Sequence, residues 1–251
     1  MRCLFTLIFL LLFTAAGVAQ SHRAEDLFPF PSFWFWLAAP TPAYDALHNG
    51  SVVNSLIIGD GDSIMFNTGE NSNVVYSSRI LNQMQASMTD AQGADLVNVS
   101  LGSSKISDMA GRAQSLDSVW GLNNAARRYR VLCLYIGVND FVAGRTKEQV
   151  LTDYLAYIDA RVAAGWQVVA CTLVSNVFVT ETNRSYLNSG LISNAAGHSY
   201  TVADAGSDAN MGQSGQYSNT TYFRDGSHPT VTGNGVIATY YKAAINSLGL
   251  Q

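Results

Sequence analysis

The sequence predicts an α/β fold, a three-layer α/β/α sandwich in which helices cover both faces of a doubly wound sheet of about five parallel strands. Three observations carry this. Apolar, β-branched runs closed by glycine or polar turns recur along the chain. Segments with helical spacing separate them, the alternation expected of parallel strands joined by crossovers. The runs are apolar throughout rather than alternating, as strands buried on both faces are.

Taken in order, VVNSLIIG from Val52 is the first strand, continuous, branched and stopped by Gly59. NVVYSSRILNQMQASM from Asn73 has its apolar residues at helical spacing, and ADLVNVSLG follows as the second strand. SLDSVWGLNNAARR, from Ser115, is expected to be helical, and YRVLCLYIGVND is the third strand. TKEQVLTDYLAYIDARVAAG is the clearest helix, with Val150, Leu151, Tyr154, Leu155, Ile158 and Val162 forming one stripe and Gly165 as its stop. WQVVACTLVS is the fourth strand, a helix spans Arg184 to Ala195, and HSYTVADA is a weaker fifth strand. A polar Gly/Ser/Asn-rich loop covers residues 205–223, and a helix from about Thr232 to Leu248 closes the chain. The 251 residues suit one domain with additions.

Right-handed crossovers place the carboxyl ends of all the strands on one edge, where ligands bind in open sheets of this kind. The segments that leave the strands there are rich in chemistry. Gly61, Asp62 and Ser63 follow the first strand, Gly102 the second, and Gly137, Asn139 and Asp140 the third. Asp225 and His228 come after the last strand and the polar loop, in RDGSHPT. A serine hydroxyl becomes a nucleophile when a base takes its proton, and an imidazole serves best with a carboxylate on its other nitrogen. Asp225 is three residues before His228, and Gly226 between them allows the carboxylate to fold back onto the ring. Backbone N–H groups at Ser63 and Gly102 and the Asn139 amide are candidate donors to an oxyanion, each worth about 3 kcal/mol of barrier. Asp60, the extra acid in GDGDS, is expected to cap the turn, and Ser103 and Ser104 to make local hydrogen bonds.

The set GDS, an isolated glycine, GxND and DxxHP resembles the SGNH hydrolase superfamily, also called GDSL-like esterases and lipases. The blocks span residues 53 to 245 in the family's order. The resemblance implies a flavodoxin-like three-layer fold with a five-stranded parallel sheet. It implies an acyl-ester hydrolase with Ser63 as nucleophile, His228 and Asp225 as base and orienter, and Gly102 and Asn139 as oxyanion donors. Gly61, Asp62, Gly137 and Asp140 would support the loops. No cofactor and no metal is implied, and the substrate would be a small-molecule, glycan or lipid ester. An O-acetylated carbohydrate is the preferred reading because of the polar loop 205–223. An acyltransferase acting on a glycan and a non-catalytic surface-binding protein of the same fold are the alternatives.

Competing chemistry finds no support. GQSGQ at Gly212 to Gln216 breaks the G-x-S-x-G pattern, and neither a phosphate-binding loop nor a dinucleotide fingerprint is present. The four histidines are scattered, without metal-ligand spacing. Hydrophobic residues make up 48% and charged residues 13%, and the net charge of -4 leaves no basic face for nucleic acid. The densest cationic stretch, RRYR at Arg127 to Arg130, is expected to end a helix, where its charge meets the C-terminal dipole.

The N-terminus has the pattern of a signal peptide over residues 1–19. Arg2 precedes an apolar run from Leu4 to Phe13, and Gly17 and Ala19 occupy the small-residue positions before the cleavage point. Export follows as an expectation, with no stable membrane insertion after cleavage. Residues 20–50 form an aromatic, proline-rich lead segment, and residues 51–251 the hydrolase domain. The lead segment either wraps the domain or presents an aromatic surface. Cys133 and Cys171 lie in apolar runs, which favours buried free thiols over a disulfide.

Overall fold

The computed structural model describes residues 55–66, 78–87, 95–118 and 129–249. The expected signal peptide and lead segment lie outside them. Five strands form one sheet, β1 (Ser55–Gly61), β2 (Asp95–Asn98), β3 (Tyr129–Tyr135), β4 (Gln167–Cys171) and β5 (Thr201–Ala203). All pairings are parallel and the order is β2-β1-β3-β4-β5. This is the doubly wound order whose strand sequence reverses between β1 and β3. Open sheets of this kind bind ligands at that point, so what leaves β1 and β3 decides the chemistry.

Helices fill the crossovers in chain order: α1 (Ser63–Phe66), α2 (Ile80–Ala86), α3 (Ile106–Ser115), α4 (Val138–Val142), α5 (Lys147–Ala163), α6 (Glu181–Asn194) and α7 (Val231–Ser247). On one face α2 packs against α7; on the other α5 packs against both α3 and α6. The sheet residues between them, Leu56 to Ile58, Val131 to Leu134 and Val168 to Cys171, are buried. That explains why their sequence runs do not alternate. Cys133 and Cys171 are buried within the sheet, and both are free thiols.

The helix starts follow from local hydrogen bonds. Thr146 accepts from the Gln149 N–H, and the Gln149 side chain returns to the Thr146 N–H, a reciprocal cap for α5. Thr180 and Thr230 cap α6 and α7 in the same one-sided way, through the Asn183 and Gly233 N–H groups. The cap at Thr180 starts α6 at Glu181, earlier than the expected Arg184.

The structure also differs from the sequence reading between β2 and α4. The helix between β2 and β3 is Ile106–Ser115, in a stretch to which the sequence reading assigned no element; residues 119–128 of the helix expected from Ser115 are outside the described residues. Its buried residues are Ile106, Met109 and Ala113, a helical stripe that a low overall hydropathy hides. Asp108 accepts from the Lys105 N–H at its start. Within RRYR, Tyr129 and Arg130 open β3, as the strand reading from Tyr129 expects, and Arg127 and Arg128 lie outside the described residues. Strand β3 also stops at Tyr135, so Asn139 belongs to the first turn of α4 and not to a strand end.

Candidate active site

The β1 strand leaves the sheet at a glycine that nothing else could replace. A Cβ on Gly61 would lie 2.1 Å from the Tyr135 carbonyl oxygen, closer than any real contact. The next N–H, of Asp62, still donates to that carbonyl at 3.2 Å. The Asp62 carboxylate then turns the chain, because Oδ1 accepts from the Ile64 N–H at 2.9 Å and starts α1. Ser63, half-buried, becomes the first residue of that turn at the mouth of the sheet.

The second segment is pinned to the first. After β2 the Val99 and Leu101 N–H groups donate to the Gly59 and Gly61 carbonyls. The exposed turn that follows has Gly102 beside Ser103, a non-glycine residue in the left-handed region at φ 61°. Among the described residues, the Ser63 and Gly102 N–H groups donate to no protein acceptor. The third segment begins with Gly137 and α4. Asn139 is half-buried there, and its Nδ2 donates to the Ser104 carbonyl at 3.0 Å, which leaves the amide one further N–H. Asp140 is buried and ties neighbouring elements together. Its Oδ2 accepts from the Ile106 N–H at 3.1 Å, at the start of α3, and its Oδ1 from Arg145 at 3.3 Å.

The fourth segment is a tight turn between Phe223 and Pro229, which pair as an isolated antiparallel bridge. Gly226, at φ +80°, makes the turn possible. Asp225 Oδ1 accepts from the Ser227 and His228 N–H groups at 3.0 and 2.8 Å, and Oδ2 lies 2.8 Å from His228 Nδ1. The other ring nitrogen, Nε2, is 2.9 Å from Ser63 Oγ, across 165 positions of sequence. One neutral tautomer satisfies both contacts, with the proton on Nδ1 facing Asp225 and Nε2 free to accept from the serine hydroxyl. The turn is braced by Asn176, which donates to Ser227 Oγ at 2.9 Å, and by the Val177 N–H on the Gly226 carbonyl. Partial burial pushes the Asp225 carboxyl up, but the His228 and Ser227 N–H groups and the His228 ring outweigh it. The group is held well below the usual carboxylate range and stays ionised.

Two more acids shape the edge. Asp60 does not cap the turn. It is fully buried, and Arg112 on α3 reaches its Oδ1 through Nε and Nη2 at 3.1 and 2.5 Å, while the Tyr157 hydroxyl donates to Oδ2 at 2.9 Å. Removing one partner of such a pair strands the other charge, at about 3–5 kcal/mol. Arg112 was invisible to sequence reasoning; its one signal is its place on the polar side of the stripe in α3. Asp62 has no such partner. Burial, opposed by the Ile64 N–H and assisted by the nearby Asp140 charge, pushes its carboxyl up to about 7. Its Oδ2 is buried and makes no hydrogen bond among the described residues.

This has a consequence for stability. Below about pH 4 both folded and unfolded chains protonate Asp62, and it contributes nothing. Between pH 4 and 7 the unfolded chain ionises first, so the folded state loses stability as pH rises. The loss is complete above pH 7 and amounts to at most about 4 kcal/mol. Asp62→Asn, which keeps the acceptor for Ile64, is expected to flatten the fall in thermal midpoint between pH 4 and 8 relative to the parent. Parallel curves for the two proteins would refute this account.

The sequence pattern GDSL-like Lipase/Acylhydrolase family matches residues 61–236, most of the chain and every segment just described. The chain belongs to the GDSL-like lipase/acylhydrolase family. It is accordingly a carboxylic ester hydrolase. Solved GDSL-type and related structures share its fold. TesA is 15% identical, with 77% of this chain and 99% of that chain covered at a TM-score of 0.58. The acetyl xylan esterase AlAXEase is 19% identical over 76% and 99%, with a TM-score of 0.55. The psychrotrophic esterase EstA from Pseudoalteromonas sp., in a structure inhibited by monoethylphosphonate, is 13% identical over 78% and 100%, with a TM-score of 0.56. Comparison with curated protein sequences gave no match. No helix among the described residues is long and apolar enough to cross a membrane, and those residues hold no cluster of metal-ligating side chains.

Proposed function

We propose that the chain is an exported serine esterase that cleaves acyl esters through an acyl-serine intermediate, with Ser63, His228 and Asp225 as its triad. The observation that carries this is the unbroken line from Asp225 Oδ2 through His228 to Ser63 Oγ, with contacts of 2.8 and 2.9 Å. His228 Nε2 takes the hydroxyl proton as Ser63 Oγ attacks the acyl carbon. The developing oxyanion is met by the Ser63 and Gly102 N–H groups and the second N–H of Asn139. His228 returns its proton to the departing alcohol oxygen. Water, deprotonated by the same nitrogen, attacks the acyl carbon; the bond to Ser63 Oγ breaks, Oγ takes the proton back from His228, and the acid leaves. Export rests on the signal pattern of residues 1–19.

The substrate proposed is an O-acetylated carbohydrate. The polar loop 205–223 supports this. It flanks the histidine turn, with the Tyr217 N–H on Ser175 Oγ at 3.2 Å and the Tyr217 ring 3.7 Å from a Cβ built on Gly226. The acetyl xylan esterase among the similar structures is consistent with it. A second reading, an ester with a longer apolar chain, is favoured by a different observation. Leu101, Val142, Val177 and Phe178 are exposed apolar residues on the segments that follow β2, β3 and β4, and Phe178 is 61% exposed. A series of p-nitrophenyl esters of rising chain length decides between them. The acetyl-carbohydrate reading expects kcat/KM to fall about tenfold from acetate to octanoate, and a rise over that range transfers the assignment to the apolar ester. A fluorophosphonate probe is expected to label Ser63 in the folded protein. Absence of both turnover and label would leave only a non-catalytic role. Acetyl transfer to added xylo-oligosaccharide outrunning hydrolysis would make the protein an acyltransferase.

A further inference from the structure

We propose that Arg112 is a positioning residue for acyl transfer, holding the loop of Gly102 against the loop of Ser63 so that the oxyanion donors converge; the inference rests on the esterase reading above. The guanidinium spends all three nitrogens on the two loops and their anchor. Nε and Nη2 take Asp60 Oδ1, Nη2 also reaches the Gly61 carbonyl at 3.2 Å, and Nη1 donates to Ser104 Oγ at 3.0 Å. Gly61 is two residues before Ser63, and its carbonyl also accepts the Leu101 N–H. Ser104 is two residues after Gly102, and its carbonyl holds the Asn139 amide at 3.0 Å. Each of the three proposed donors is therefore at most two residues, or one hydrogen bond, from a group in the grip of Arg112.

Two features say that this is more than neutralisation of a buried acid. Asp60 alone needs only a positive charge and the Tyr157 hydroxyl, yet the fork also reaches Ser104 and Gly61, which carry no charge to neutralise. The loop it reaches contains Ser103 at φ 61°, a conformation that persists in a non-glycine residue only when outside contacts impose it. The planar, five-donor geometry of arginine meets all of these acceptors at once, and a lysine ammonium, a single point of charge, does not.

The test uses the full chain and counts active sites by the end-point of fluorophosphonate labelling, so that partial unfolding does not enter the rate. Arg112→Lys keeps a charge for Asp60 and is expected to lower kcat per titrated site about 10- to 100-fold, with KM for p-nitrophenyl acetate within about threefold, as donors displaced rather than removed should. Ser104→Ala leaves the ion pair intact and removes one of its reaches; kcat should fall about threefold to tenfold. The combined Asp60→Leu/Arg112→Met/Tyr157→Phe variant replaces the buried polar cluster with apolar groups, an exchange that is often neutral for stability, and it should retain the low kcat. Wild-type kcat per titrated site in Arg112→Lys or in the combined variant overturns the proposal, as does a loss confined to KM. If the parent protein neither hydrolyses p-nitrophenyl acetate nor takes label at Ser63, the esterase reading and this inference fall together. An active parent with indifferent variants removes the positioning role alone.

Discussion

Ser63→Ala is expected to leave a folded protein whose kcat on p-nitrophenyl acetate is lower by about a millionfold, the scale on which removing a triad nucleophile acts. The substitution deletes the protein atom proposed to attack the acyl carbon and leaves the rest of the edge standing. The start of α1 depends on the Asp62 carboxylate and the Ile64 N–H, and the recorded partner of Ser63 Oγ is His228 Nε2. Nothing in the core is touched, so the thermal midpoint should move by no more than about 2 °C. Rate, label and melting curve are read on one preparation. Retained activity within tenfold of the parent would move the nucleophile elsewhere, with Ser103 and Ser104 on the neighbouring loop the first to examine.

Asp225→Asn is expected to cost about 10⁴-fold in kcat with the fold again intact. The carboxylate does two jobs with two oxygens. Oδ1 holds the turn through the Ser227 and His228 N–H groups, and the asparagine carbonyl can inherit that task. Oδ2 faces His228 Nδ1, and there the variant presents an N–H instead of an acceptor. The ring must then accept at Nδ1 and carry its proton on Nε2, the nitrogen that faces Ser63, so the base is lost through the wrong tautomer rather than through distance. Because hydrogen bonds hold the native carboxyl well below its ordinary range, the acid limb of a pH–rate profile does not report its protonation. A loss under a hundredfold would mean that Asp225 fixes the turn but does not orient the imidazole.

Much of the architecture could be read without coordinates because burial writes itself into composition. A strand covered on both faces is largely apolar, and the buried runs Leu56 to Ile58, Val131 to Leu134 and Val168 to Cys171 are. The meeting of Ser63 with His228 was legible for a topological reason, since parallel strands deliver their exits to one edge whatever the sequence distance. Interactions that depend on a single side chain were not legible. Arg112 is 52 positions from Asp60, and no local pattern distinguishes an arginine turned inward from one in solvent. The error at Asp60 has the same origin. An acid between glycines looks like a turn cap, and only the arrival of α3 gives it a buried partner. The helix α3 itself was missed because its apolar stripe is narrow and its start is capped by an aspartate reaching back to Lys105.

The two sulfurs buried in the sheet give the molecule an internal clock. Burial pushes the Cys171 thiol up to about 12 and Cys133 further still, so in the folded protein neither offers a thiolate to an alkylating reagent. They occupy adjacent strands, β3 and β4, and both are fully buried. The pace at which a thiol reagent consumes them therefore measures how often the sheet comes apart, independently of anything that happens at the edge that carries Ser63.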